Sequence, residues 1–204
     1  MQDINLKLEQ EEQTNPKPWL KGLIDCTSCT ARNEARQPVG AFGSIRKEGI
    51  MAIGRNPGSE EDEAQEPFVG KSGEFLNKYL ESCNIQRGDV YISNTIKCHT
   101  CRNREPDILE IKMCTDKWLH KEMIYLQPKL IFILGADAFR GVFNHNISRW
   151  IDNTGVIRDM RKEFGFQAVI LPHPSAVISY HPDWKQKYID TVEGVKAIIK
   201  QEGL

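Results

Sequence analysis

The pentapeptide Gly54-Arg55-Asn56-Pro57-Gly58 follows the apolar run Ile50-Met51-Ala52-Ile53, which reads as a buried strand. A strand ending in a Gly/Pro turn brings backbone N–H groups and a few side chains to the C-terminal edge of a sheet, where open α/β sheets hold their ligands. Three other places carry chemistry that such a loop could use. Phe68 lies in Pro67-Phe68-Val69-Gly70-Lys71-Ser72-Gly73 and offers an aromatic face beside a glycine turn. Asn94 closes the β-rich run Asp89-Val90-Tyr91-Ile92-Ser93-Asn94 and presents both a donor and an acceptor. His173 stands between Pro172 and Pro174, which stiffen its loop and aim the ring. Gly70-Lys71-Ser72 is superficially a phosphate loop, but the first glycine of that motif should stand at position 65, which is Gln65.

Six cysteines form the remaining group. Cys26 and Cys29 make one Cys-x-x-Cys, Cys98 and Cys101 a second, and Cys114 lies further on. A thioredoxin-type redox pair would want a βαβ context, which Cys26 and Cys29 lack. Soft thiolates on scattered elements suit zinc or an iron–sulfur cluster. The paired spacing taken alone favours a zinc ribbon. Cys83 falls on an amphipathic stretch and reads as a small core residue.

The elements that must position these groups follow from periodicity. Strands are expected near 49–53, 89–96, 130–135 and 168–171, the third as a continuous apolar run typical of a central parallel strand. Helical spacing marks Glu74 to Cys83, Pro106-Asp107 to Leu126, Ala136 to Phe143, and Trp184 to Gln201. Residues 144–166 suggest a loop and a hairpin. The acidic stretch Ser59 to Glu66 reads as a solvated loop or first helical turn. Strand–helix alternation argues for an α/β fold: a three-layer α/β/α sandwich around a central four-stranded, mostly parallel sheet in a single domain. Residues 1–17 are expected to form a flexible tail and 18–204 the domain.

The formal net charge of -1 makes no global case for nucleic acid and leaves only a local basic face to contact phosphates. No apolar run approaches the roughly 18 residues of a membrane span, and the polar N-terminus has no signal-peptide pattern. The expectation is a cytoplasmic, monomeric protein without a membrane partner, whose cysteines serve metal or redox chemistry rather than disulfides.

In the order and spacing of its motifs the chain resembles the family-4 iron–sulfur branch of the uracil-DNA glycosylases. The residues that carry the resemblance are Cys26 and Cys29; Glu61-Asp62; Pro67-Phe68-Val69-Gly70-Lys71-Ser72-Gly73; Tyr91-Ile92-Ser93-Asn94; Lys97-Cys98; Asn103-Arg104-Glu105-Pro106; Glu110 and Cys114; Pro128 to Gly135; and His173-Pro174-Ser175. The resemblance implies a [4Fe–4S] cluster on Cys26, Cys29, Cys98 and Cys114, overriding the zinc alternative and leaving Cys101 as a bystander or alternative ligand. One motif departs. The family has Glu then Ala where this chain has Arg55 and Asn56, and Gly-x-Asn-Pro-Gly is similar instead to the mismatch-specific and single-strand-selective branches. That likeness puts the positioning of the attacking water on Asn56 and opens the question of which base is excised.

A glycosylase must extrude its target nucleotide or act on single strands. Phe68 would stack on the base, Asn94 would read its edge, and Gly54 and Arg55 would line the base pocket. A neutral His173 would donate to the anion building on the leaving base. Excision would be monofunctional. Lys71, Arg104, Ser175, Ala176 and Val177 are candidate DNA contacts, with Arg55 and Arg102 as further phosphate candidates and Ala176-Val177-Ile178 as the wedge that fills the duplex gap. The partner would be DNA, double- or single-stranded. Two other readings stand beside this one: a glycosylase for a hypermodified phage pyrimidine, and a non-catalytic Fe–S module that binds DNA.

Overall fold

The computed structural model describes residues 17–143 and 154–204. The tail expected over 1–17 lies outside these except for its last residue, as does part of the loop expected between 144 and 166.

The first apolar run forms β1 (Ile50–Gly54) and leads through α1 (Ser59–Ala64) and α2 (Lys71–Ser82) to β2 (Val90–Asn94). Then come α3 (Ile108–Cys114), a π-helical turn (Thr115–Leu119), α4 (His120–Leu126), β3 (Leu130–Leu134) and α5 (Ala136–Phe143). The chain continues through β4 (Val156–Met160), α6 (Arg161–Phe164), β5 (Phe166–Leu171), α7 (Pro174–Ser179), α8 (Lys185–Ile189) and α9 (Val192–Glu202). Among the described residues the sheet has five strands in the order β2-β1-β3-β5-β4. The first four in that row are parallel; β4 runs antiparallel to β5.

The sheet therefore has one strand more than the sequence suggests. The extra strand is one arm of the hairpin expected before residue 166. It hides as a strand because it sits at the edge, half exposed, and reads Val-Ile-Arg-Asp-Met instead of as an apolar run. The helix expected from Asp107 to Leu126 is interrupted by the π turn directly after Cys114. The C-terminal helix is likewise split between α8 and α9.

Both faces of the sheet are covered at its centre, which is why β1 and β3 are apolar throughout. Ile50, Ala52, Val90, Ile92, Phe132 and Val169 face a cluster with Leu76, Tyr79, Tyr188, Val195 and Ile198 from α2, α8 and α9. The alternate residues Met51, Ile53, Tyr91, Ile131 and Ile170 face Leu119, Leu126, Phe139 and Phe143 on the other side. Each fully buried Val, Leu, Ile, Phe or Met side chain among them contributes about 1.5–3 kcal/mol. The open edge at β2 is closed by Phe42, which exchanges backbone hydrogen bonds of 2.9 and 2.8 Å with Ile92. An exposed edge would otherwise be free to pair with another chain.

Candidate active site

The C-terminal edge of the sheet brings the first three chemical groups together. Gly54 pairs in register with Asn94, and the pairing extends past the strands through Thr95 N–H to Gly54 O and Ile96 N–H to Arg55 O, both 2.9 Å. A Cβ at Gly54 would lie 2.5 Å from Phe68 Cζ and 2.6 Å from Asn94 Oδ1, so only glycine lets those two side chains close over the strand end. Phe68 itself has φ of 56°, a costly left-handed conformation for an aromatic residue. Its carbonyl carbon and oxygen fill the space where Gly73 would carry a Cβ. The Phe68 ring lies 6.1 Å, centroid to centroid, from His173, whose loop follows β5. Phe68, Asn94 and His173, together with Asn56, His99 and Asn103, line an open cavity of about 570 Å³.

Asn94 is 4% exposed, and among the described residues its side-chain amide has no hydrogen-bond partner. Its backbone carbonyl, by contrast, is fixed by Lys97 Nζ at 2.9 Å. That ammonium is itself buried, paired to Glu122 at 2.8 Å and bonded to Ser93 Oγ at 2.6 Å. The strand end is thus rigid, while the amide on it remains free to bond a ligand.

Asn56 is held on every side. Arg55 Nε–H donates to its Oδ1 at 2.7 Å, and its Nδ2 donates to Pro57 O at 3.1 Å and Thr100 Oγ1 at 3.2 Å. A guanidinium can only donate, so the carbonyl end of the amide must face Arg55, with one lone pair left over. Arg55 lines the same cavity, and its guanidinium turns sideways to Asn103 Oδ1 at 2.9 Å and Asn103 O at 3.3 Å.

The tautomer of His173 is set by its loop. Ser175 N–H donates to Nδ1 at 3.2 Å, with Ser175 Oγ 2.8 Å from the same nitrogen. Nδ1 is therefore an acceptor, and a neutral ring carries its proton on Nε2. Burial, reinforced by the positive charge of Arg55, pushes the imidazole pKa down to about 4. Pro172 O is meanwhile held by the Tyr188 hydroxyl at 2.5 Å.

Glu61 shows what the acidic stretch does. It lies in the first turn of α1, the helical alternative of the sequence, but is nearly buried instead of solvated. Its Oε2 accepts from Gly58 N–H at 3.0 Å, and its Oε1 from Val69 and Gly70 N–H at 3.0 and 2.9 Å. One carboxylate thereby ties the Asn56 loop to the Phe68 loop. In Glu61→Gln one of those oxygens becomes an NH₂ group, which cannot accept, and at least one loop is released. We expect a loss of about 1–3 kcal/mol in denaturant unfolding for the orphaned N–H groups, together with slower turnover. Unchanged stability and turnover would remove Glu61 from this role.

Cys26, Cys29, Cys98 and Cys114 line one small apolar cavity with Leu23 and Trp118. Cys101 is exposed and lies outside it, and Cys83 is buried in the sheet core as the sequence suggested. Burial pushes the thiols of Cys98 and Cys114 up to about 12. Lys97 N–H points at Cys114 Sγ, 3.4 Å away. Among the described residues no three His, Cys, Asp or Glu side chains are arranged to hold a single metal ion. In kind and number, four thiols around one small cavity fit a thiolate-bound cluster.

Arg104 is a correction to the sequence reading. Its guanidinium is not presented to DNA phosphates but is occupied by Glu34 at 2.5 Å and Glu110 at 2.8 Å. Glu110, held down to about 2 by that guanidinium, also accepts from Thr30 Oγ1 at 2.6 Å. Glu34 in turn accepts from Cys101 N–H at 2.6 Å. The network fastens the segment after Cys29 to the loop after Cys98 and to α3, which ends in Cys114. Val177 is a second correction: at 3% exposure it packs in the sheet core and cannot serve as a wedge. Ala176 is half-buried and Ile178 is 44% exposed. Lys71 and Ser175 are exposed on the cavity rim, with Arg102 beside them.

His99 and Thr100, in the same polar, coil-like loop, carry no signal in the sequence beyond their place directly after Lys97-Cys98, and Asn103 stands out there only as part of Asn103-Arg104-Glu105-Pro106. His99 Nδ1 lies 3.0 Å from Pro57 O.

A polar pocket at the C-terminal edge of a mostly parallel sheet, with a separate cysteine cavity, is the arrangement of an α/β protein that holds its ligand at the strand ends. Residues 41–193 match the model of the uracil DNA glycosylase superfamily, and the chain belongs to that family of N-glycosylases. It is 30% identical over 175 residues to the type-4 uracil-DNA glycosylase of Archaeoglobus fulgidus, covering 83% of this chain and 85% of that protein. The type-4 uracil-DNA glycosylase of Thermotoga maritima is 29% identical over 187 residues, covering 87% and 91%. That of Pyrobaculum aerophilum is 36% identical over 113 residues, covering 55% and 57%. Among the described residues no helix is long and apolar enough to cross a membrane.

Proposed function

We propose that this protein is a monofunctional DNA glycosylase that hydrolyses the N-glycosidic bond of a flipped-out uracil or modified pyrimidine and leaves an abasic site. The observation that carries this reading is the buried, unpartnered Asn94 amide beside the Phe68 ring, with His173 across the same cavity. A pyrimidine slid against Phe68 would meet a donor and an acceptor at its edge. Stacking there is worth about 1–3 kcal/mol. As the bond to C1′ breaks, its electron pair moves to the base, and the Nε2–H of neutral His173 stabilises the anion. Water held on the remaining lone pair of Asn56 Oδ1 then adds to C1′ of the sugar cation, and the proton it releases goes to the base anion, which leaves as the neutral base. An amide is a poor base, which suits a dissociative path in which water attacks late.

Cys26, Cys29, Cys98 and Cys114 would hold a [4Fe–4S] cluster, and the Arg104 network supports it by joining the segments that carry those residues. When bound, such a cluster cross-links these segments as a structural group. We further propose that the protein acts on DNA as a cytoplasmic monomer. Lys71, Ser175 and Arg102 would contact phosphates, and Ala176 with Ile178 would enter the duplex gap.

A second reading, excision of a hypermodified phage pyrimidine, is favoured by the Arg55-Asn56 pair at the mouth of an open, polar cavity. Oligonucleotides carrying uracil, hydroxymethyluracil or glucosylated hydroxymethylcytosine decide between them by the one that yields abasic sites. The DNA backbone should stay intact, and borohydride should not trap Lys71, the lysine that lines the cavity. Abasic sites on none of the three would overturn the enzyme reading in favour of a non-catalytic DNA-binding module. Iron and sulfide in equal amounts are expected in the purified protein; zinc alone would overturn the cluster.

A further inference from the structure

Resting on the glycosylase reading, we infer that Arg55 is a positioning residue that acts through Asn56, and that with Asn103 it makes the loop after Cys98 the clamp on the water-holding amide. Both ends of the Asn56 amide are fixed by this loop. Thr100 Oγ1 accepts from Nδ2 at 3.2 Å, and its own hydroxyl is oriented by donating to Arg104 O at 2.7 Å. The Oδ1 end is held by Arg55 Nε–H at 2.7 Å, and Arg55 is anchored by Nη2 on Asn103 at 2.9 Å. His99 adds a third contact at Pro57 O, 3.0 Å away. The anchoring stretch is itself unusual: Arg102 and Asn103 are consecutive residues with φ of 52° and 55°. Two left-handed non-glycine residues in a row cost conformational energy and persist only where the surroundings impose them.

The chemistry requires a fork. An unrestrained Asn amide can present NH₂ or C=O to the water, and only C=O can accept from it. A guanidinium holds the C=O end with one N–H while bonding Asn103 with another, whereas an ammonium is a single point charge that cannot hold both in this geometry. Arg55 thus reaches the reacting water only through Asn56, in contrast to a residue that touches the base or a phosphate.

Single-turnover rates on the oligonucleotide that the wild type cleaves, together with affinity for the abasic product DNA, test this. Arg55→Ala and Arg55→Lys should both slow excision by about 10²-fold, the cost of misplacing a reacting group, with product affinity unchanged. Asn103→Ala should fall in the same direction by less. In an Asn56→Ala background, Arg55→Ala should add little, because a residue that acts through another loses its effect with it. Full activity in Arg55→Lys, a loss confined to affinity, or additive losses in the double variant would each overturn the inference. A wild type that cleaves no oligonucleotide overturns the glycosylase reading instead, so the two failures are separable.

Discussion

Asn56→Ala should lower the single-turnover rate of base excision by about 10²- to 10⁴-fold, the range for losing a group that handles the reacting water. Binding to abasic product DNA should be preserved, because Phe68 and Asn94 do not lean on the Asn56 side chain. The near-isosteric Asn56→Asp separates positioning from mere space filling. Its Oδ1 could still accept from Arg55, but its second oxygen would replace an NH₂ that donates to Pro57 O and Thr100 Oγ1. A carboxylate oxygen facing a carbonyl, and a hydroxyl whose proton is already committed to Arg104 O, is repelled. Asp should therefore also be strongly impaired. Wild-type rates in Asn56→Ala would remove this residue from the mechanism, and full activity in Asn56→Asp would show that the amide's N–H groups do not matter.

The parts of this site that were legible in the sequence are those where a residue's chemistry and its backbone role coincide. Gly54 marks a strand end because nothing larger fits between Phe68 and Asn94. His173 announces itself through the flanking prolines, and, of the five described strands, β1, β3 and β5 through their apolar runs and β2 through its β-formers. What stayed hidden has a common cause. Glu61, Arg104 and Arg55 act through partners distant in sequence: Glu61 through the backbone of Val69, Arg104 through Glu34, Arg55 through Asn103. A charge in a polar stretch looks the same whether it faces water, phosphate or a buried N–H, and only the fold discriminates. The edge strand β4 was obscured for the complementary reason, since half exposure leaves no apolar signature. Val177 erred the other way: an apolar residue after a His-Pro loop suits a wedge by composition, yet α7 turns it inward.

His173→Ala should cost about 10²- to 10³-fold in the excision step, the loss typical of removing one preorganised donor to a developing anion. The pH dependence makes a more demanding test. Burial first, and Arg55 second, hold the folded-state pKa at about 4, below the ordinary value of about 6.5 for an unfolded chain. The folded protein thus binds fewer protons than the unfolded one throughout that interval. The stability contributed by neutral His173 is fully present above about 6.5 and is lost as pH falls through about 4. Any acid limb of the rate that belongs to His173 should lie near the lower value, so excision should continue at pH 5 to 6, where an ordinary histidine would already be mostly charged. Removing the positive charge in Arg55→Ala should move that limb upward, toward but not up to the ordinary value, since burial remains. A limb at about 6.5 in the wild type, or one that moves down in Arg55→Ala, would contradict a donor kept neutral by its surroundings.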